Sequence, residues 1–275
     1  MKNFNQSPLP FQGQKRKFQK TFKLVLKENY NDKYVYVDLF GGSGLLSHFV
    51  RCVFPKAVVI YNDYDNFSER LLHIEGTNKI LSELRAILTN SPRGKLVTEP
   101  ARGQIVETLK KADKKGYVDY ITLSSSLMFS MKYCTSLEAF IKESFYNNVK
   151  MSDYNAEGYL DGIHVVRMDY KELFKKYQYR PDVVFLIDPP YLSTDVSTYT
   201  GDYWKLKDYL DVLHTLKNTN YFYFTSDKSN IIELCDWLEK NTNFINPFNA
   251  LQKVELFTQL NHTAKYTDVM LWKKA

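Results

Sequence analysis

Asp38-Leu39-Phe40-Gly41-Gly42-Ser43-Gly44 is the segment that decides the architecture. A β-rich apolar run over 34–40 leads into it. Leu45, Leu46, Phe49, Val50 and Val53 follow at helical spacing, with a stop at Pro55. A strand that passes through glycines into a helix allows a tight turn and close backbone approach, and the helix N-terminus offers free N–H groups to a polar ligand. Asp63 stands 19 residues beyond Gly44, at the end of the next apolar run, 58–61. An acid there can accept both hydroxyls of a ribose. Together these features predict a site for an adenosine-containing cofactor; the plainer alternative is a glycine turn with a capping aspartate.

Outward from this segment, strands and helices alternate. Further strands are expected over 163–168, 183–187 and 221–225, and helices over 169–177, 206–216 and 230–238. The runs 254–260 and 267–272 alternate and predict a terminal antiparallel hairpin joined by 261–266. The expected fold class is therefore α/β: a mostly parallel sheet with both faces covered and ligands at the strands' carboxyl ends. Residues 70–160 read differently, as a helical, polar insertion. The domain expectation is one body made of 1–69 and 161–275, with 70–160 inserted as a second.

The 275 residues, 44% hydrophobic and 25% charged, exclude a disordered, collagenous or disulfide-scaffolded chain. The longest apolar run, Val183-Val184-Phe185-Leu186-Ile187, is far short of the roughly 18 residues of a membrane helix. No apolar stretch near the N-terminus serves as an export signal, so a cytoplasmic setting is expected. Cys52, Cys134 and Cys235 are too scattered for zinc or a disulfide framework, and the histidines show no metal spacing. No metal is predicted. The net charge of +6 is matched by residues 1–33 alone, where Lys2, Lys15, Arg16, Lys17, Lys20, Lys23, Lys27 and Lys33 face only Glu28 and Asp32. Such clustering suits a polyanion or a solvated basic tail. Lys110, Lys111, Lys114 and Lys115 in the insertion are read either as a phosphate contact or as the exposed face of a helix.

The glycine segment leaves the cofactor open. Gly42-Ser43-Gly44-Leu45-Leu46-Ser47 departs from the dinucleotide fingerprint only at its last glycine, so a nicotinamide or flavin enzyme stays in view. Asp188-Pro189-Pro190-Tyr191 decides between them. Two prolines directly after a buried strand remove two donors and fix both φ angles, leaving rigid carbonyls between an acid and an aromatic ring. Such a pocket accepts hydrogen bonds from an amino group and stacks a flat ring beside it.

With these residues the sequence resembles the amino-methyltransferases that use S-adenosylmethionine, and among them the Dam-type DNA adenine-N6 methyltransferases. Phe40, Gly42 and Gly44 match the family's Phe-x-Gly-x-Gly motif, and Asp188-Pro189-Pro190-Tyr191 its catalytic tetrapeptide. Pro10-Phe11-Gln12-Gly13-Gln14-Lys15 resembles its Pro-Phe-x-Gly-Gly-Lys element, with Gln14 in place of the second glycine. Val166-Arg167-Met168-Asp169-Tyr170 looks like the strand whose terminal acid meets the cofactor adenine. The resemblance covers 8–65 and 160–272 and stops at the insertion, whose place matches that of the family's target-recognition domain.

The resemblance implies a Rossmann-like methyltransferase fold, S-adenosylmethionine as cofactor, and double-stranded DNA as partner. It implies cofactor contacts at Phe11, Lys15, Asp38, Phe40, Gly42, Gly44, Asp63, Asp169, Tyr170 and Asp188. Asp188 and the Pro189 carbonyl would accept the hydrogens of adenine N6, Pro190 would hold that turn rigid, and Tyr191 would stack on a base flipped out of the duplex. A monomer or weak dimer is expected, and a cognate restriction endonuclease or a phage setting accompanies some members. Cytosine-carbon methylation fits poorly, because none of the cysteines follows a proline. An RNA adenine methyltransferase, an inactive nucleic-acid-binding homologue and a dinucleotide oxidoreductase stay as alternatives. The loop 261–266 either approaches the substrate or simply joins the hairpin.

Overall fold

The computed structural model describes residues 2–129, 132–192, 204–249, 251–259 and 265–274. After a 3-10 turn at Arg16–Phe18 come α1 (Gln19–Asn29), β1 (Val35–Asp38), α2 (Leu45–Val53), β2 (Val58–Asn62), α3 (Phe67–Leu72) and α4 (Ile74–Ile87). Helices α5 (Ala101–Lys115), α6 (Tyr120–Leu127) and α7 (Leu137–Ile141) precede β3 (His164–Val166), α8 (Tyr170–Tyr177) and β4 (Val183–Ile187). The chain continues through α9 (Leu206–Thr215), β5 (Asn220–Ser226), α10 (Ile231–Asn241), β6 (Gln252–Gln259) and β7 (Lys265–Lys273).

The strands form one seven-stranded sheet in the order β3-β2-β1-β4-β5-β7-β6. All neighbours from β3 to β5 are parallel, and β7 runs antiparallel between β5 and β6. The α/β reading with a C-terminal antiparallel hairpin is therefore what the chain adopts. Alternation along each strand feeds two cores. Tyr36, Val59, Val184 and Phe222 join Phe22 of α1 and Phe49 of α2 on one face. Val35, Val37, Phe185 and Tyr223 meet Leu173 of α8, Val212 of α9 and Cys235 of α10 on the other. Because both faces are covered, β1 and β4 are buried at every position, as parallel strands require.

Helices α4 to α7 build a third core, from Ile80, Leu84, Ile105, Leu109, Leu123, Phe140 and Val149 among others. Ile74, at the start of α4, still packs into the sheet's core, and Tyr154 touches both. The change of core thus falls within α4 and near Tyr154, whereas residue 70 lies inside α3. The third expected strand is shorter than 163–168, because pairing with β2 covers only His164, Val165 and Val166. The connection 261–266 has residues 261–264 outside those described.

His48 shows how a lone histidine serves packing. The Phe4 backbone N–H donates to its Nε2 at 3.0 Å, so Nδ1 carries the ring hydrogen and donates to the Tyr159 carbonyl at 2.8 Å. Burial pushes its pKa down to about 4, and the ring is neutral. Among the described residues no group of three or more metal-ligating side chains occurs, and no helix is long and apolar enough to cross a membrane.

Candidate active site

Strand order reverses at β1, where β2 and β3 lie to one side and β4 and β5 to the other. Ligands of open α/β sheets bind in the crevice outside such a switch point. Asp38 pairs with Leu186, and the Leu39 N–H donates to the Leu186 carbonyl at 3.0 Å, so the glycine turn and the Asp188 turn leave adjacent strands at the same end. Asn62 ties a third strand end to them. Its Nδ2 donates to the carbonyls of Leu39 and Met168, each at 3.0 Å, and its Oδ1 accepts from the Met168 N–H at 3.1 Å.

Above this rim lies a cavity of about 330 Å³, within the range of small-ligand sites. The glycine turn forms its floor. Gly42 and Gly44 have φ of +51° and +72°, which glycine adopts without strain. Gly41 is demanded by contact, since a Cβ there would lie 2.2 Å from the Tyr61 ring and 2.9 Å from the Asn62 carbonyl. Gly41→Ala is therefore expected to cost about 1–3 kcal/mol of stability through overpacking. It should also weaken the binding of any ligand held in the cavity at least as clearly, by displacing the floor; thermal unfolding and calorimetric titration check both effects.

One wall is aromatic. The Phe40 ring lies 4.8 Å from Tyr170 and 5.7 Å from Trp204, and Tyr170 and Trp204 are nearly parallel, with interplanar angle 21° and centroids 5.9 Å apart. Phe11, Gln12 and Gly13 close another side, together with Tyr64 and Asp65 from the end of β2. The charged lining is Asp65, Asp169, Asp188 and Asp208 against Lys171, so the cavity is biased toward a cationic ligand.

Asp188 lines the cavity and is ion-paired. Lys15 Nζ is 2.6 Å from its Oδ2, donates to the Gly13 carbonyl at 2.8 Å, and lies 5.3 Å from the centroid of the Tyr191 ring. One ammonium thus joins the N-terminal loop to the end of β4. Burial raises the Asp188 pKa, and the charge and hydrogen bond of Lys15 oppose that shift. The Asp188 side chain keeps 17% of its surface exposed, so the carboxylate is reachable.

The residues singled out from sequence divide into two layers. Phe11, Phe40, Gly42, Asp169, Tyr170, Asp188 and Pro190 line the cavity directly. Asp38, Gly44 and Asp63 lie behind the lining. Asp38 is fully buried and accepts from Ser47 Oγ at 2.8 Å, while its Oδ1 has no hydrogen-bond partner among the described residues. Burial pushes its pKa up to about 7, with the Ser47 hydrogen bond opposing and the Asp188 charge adding to the rise. Gly44 is the N-cap of α2. Asp63 accepts from the N–H groups of Phe67 at 2.6 Å and Ser68 at 2.8 Å, satisfying donors at the start of α3, and the Tyr61 hydroxyl lies 2.9 Å from it. The acid of this strand end that lines the cavity is Asp65.

Pro189 is buried, and Lys15, Pro189 and Tyr191 are not part of the lining, the Tyr191 ring lying against the Lys15 ammonium. Lys110, Lys111, Lys114 and Lys115 are exposed on α5, opposite buried Ile105 and Leu109, and Lys110 pairs with Glu107 at 2.9 Å. They are remote in sequence and in core from the cavity lining. Sequence reasoning missed Gly41, Asp65, Trp204 and Asp208. Gly41 and Asp65 lay within quoted or adjoining motifs, whereas nothing local marked Trp204.

Comparison with known proteins agrees with this geometry. A Haemophilus influenzae protein named "Putative methyltransferase" is 38% identical over 284 aligned positions, covering 99% of this chain and 93% of that protein. A solved structure of precorrin-6y C5,15-methyltransferase from Geobacter metallireducens is 10% identical, with a TM-score of 0.38 over 97% of this chain and 94% of that one, and adds nothing to the assignment. Residues 11–259 match the family described as D12 class N6 adenine-specific DNA methyltransferase, a span holding the glycine turn, the cavity lining and Asp188 alike. The chain belongs to that family, and it is an adenine-specific DNA methyltransferase.

Proposed function

We propose that the cavity holds S-adenosylmethionine and that Asp188, with the Pro189 carbonyl, accepts the hydrogens of an adenine N6 amino group presented from duplex DNA. The observation that carries this reading is the place of Asp188: on the strand next to the glycine turn, lining the same cavity, with Lys15 on its carboxylate. The lining fits the cofactor. Phe40, Tyr170 and Trp204 offer flat faces to an adenine, Asp65 and Asp169 offer acceptors to ribose hydroxyls and the ring amino group, and the acidic excess suits a ligand of net positive charge. When bound, S-adenosylmethionine supplies an electrophilic methyl group on a sulfonium.

Adenine N6 is a poor nucleophile because its lone pair is delocalised into the ring. Acceptors at both of its hydrogens favour tetrahedral nitrogen and expose that lone pair, so positioning and fixed acceptors carry the rate. The target atom is buried in duplex DNA, so the base leaves the stack at a cost of a few kcal/mol and Tyr191 stacks on it. The exposed lysines of α5 support a role for the insertion in holding phosphates while other side chains of that body read base edges.

Lys15 keeps Asp188 in its accepting form. Lys15→Met removes what opposes burial, so Asp188 protonates at higher pH. A protonated carboxyl accepts poorly, so the acidic limb of the kcat/KM profile should move upward in pH. An unmoved limb would show that Lys15 does not set the charge of Asp188.

Labelled methyl transfer to unmethylated duplex DNA, single-stranded DNA and structured RNA, with nucleoside analysis, tests the whole reading. N6-methyladenine formed best in duplex DNA is the expected result. Transfer confined to RNA, or none despite cofactor binding, would overturn it.

A further inference from the structure

Part of the N-terminal basic cluster is left unspent by the active site. Lys15 is committed to Asp188, and Lys23 lies 4.9 Å from the centroid of the Phe49 ring and donates to the Asn3 side chain. Helix α1 turns Phe22, Val25 and Leu26 inward and leaves Lys20 and Lys27 exposed, and Arg16, in the 3-10 turn that leads into it, is exposed as well. Among the described residues no carboxylate pairs with any of these three; Arg16 meets only the neutral Gln6 side chain, at 3.1 Å. Like charges without compensation repel one another and favour a polyanion.

The direction of α1 separates the three. The helix follows the short 3-10 turn that begins after Lys15, whose ammonium touches Asp188 at the carboxyl end of β4. At its far end the Tyr30 hydroxyl donates at 2.8 Å to the carbonyl of Lys273, which pairs with Tyr221 at the beginning of β5. The helix therefore runs from the catalytic rim of the sheet to the opposite rim. Arg16 stands beside the active site and Lys20 about one turn further. Lys27 lies roughly 10 Å beyond Lys20 along the helix, at about 1.5 Å per residue.

We infer that Arg16 and Lys20 bind backbone phosphates beside the target nucleotide, forming a DNA contact in the catalytic body separate from that of the insertion, and that Lys27 lies beyond the DNA. This rests on the reading of duplex DNA as substrate. A base whose amino group reaches Asp188 brings its own strand to the rim where Arg16 stands, and phosphate contacts of this kind fix register without reading sequence.

The test is the salt dependence of binding to unmethylated duplex DNA, measured by fluorescence anisotropy on the full chain. Each phosphate contact contributes about 0.9 to the slope of log K against log salt, so Arg16→Gln/Lys20→Gln should lower the slope by roughly 2. Lys27→Gln should leave it unchanged, and both variants should bind S-adenosylmethionine as the parent does. An unchanged slope in the double variant, or an equal fall with Lys27→Gln, would overturn the inference, the second outcome reducing it to general surface charge. Failure of the parent chain to bind duplex DNA at all would instead remove the duplex reading itself.

Discussion

Asp188→Ala should lower methyl transfer at saturating DNA and S-adenosylmethionine by roughly 10²- to 10⁴-fold, the usual worth of a positioned acceptor or charge at the reacting atom. The loss belongs in kcat, because the hydrogen bonds concerned strengthen as the amino nitrogen leaves planarity. Cofactor affinity should change far less, since the aromatic wall and the glycine floor do not involve this side chain. Asp188→Asn keeps the size and one acceptor while losing the charge opposite Lys15, and should fall between. Single-turnover transfer of labelled methyl, with cofactor binding measured in parallel, separates these quantities. Parent-like turnover in Asp188→Ala would take the carboxylate out of the chemistry.

The second large effect lies outside the cavity. Arg70 is buried on α3 and joins three parts of the chain. Its Nε is 3.1 Å from Asp119 Oδ2, and its Nη2 donates to the Pro10 carbonyl at 2.9 Å and to Thr122 Oγ1 at 3.1 Å. Pro10 precedes the cavity wall at Phe11, and Asp119 is the N-cap of α6 in the insertion. Side-chain exposure is 6% for Arg70 and 1% for Asp119, so removing the guanidinium strands a buried carboxylate.

Breaking such a pair costs about 3–5 kcal/mol, a large share of the roughly 5–15 kcal/mol that holds a domain folded. Arg70→Ala should therefore lower the denaturant midpoint sharply and weaken S-adenosylmethionine binding through the loosened Phe11 wall. Arg70→Lys retains charge without the planar fork and should be intermediate. If the alanine variant does not fold, the lysine variant and a cycle with Asp119→Asn still report the coupling. Parent-like stability in both Arg70 variants would show that the contact is dispensable.

Much of this was legible in the amino-acid order because it is local. Phe40-Gly41-Gly42-Ser43-Gly44 and Asp188-Pro189-Pro190-Tyr191 carry their own backbone requirements, and apolar runs, with alternation in the C-terminal hairpin, marked every strand of the sheet. Asp63 shows where local reading stops. An acid at the end of β2 suits a ribose by position, yet α3 begins only a few residues later, and its free N–H groups take the Asp63 carboxylate. Asp65, two residues on, lines the cavity instead. Trp204 and Asp208 come from the far side of β4 in sequence and reach the cavity only because α9 packs over the same face as α8.

By itself, then, the sequence determined the βα order and the two turns that meet at the cavity, because each depends on φ preferences and side-chain period within a few residues. Tertiary structure alone decided which acids face the cavity, that Lys15 would sit on Asp188, and that Arg70 would join the start of α6 to the backbone beside the Phe11 side of the cavity. Those outcomes depend on strand register and on competition among buried donors for a few carboxylates, and both are resolved only when distant segments pack.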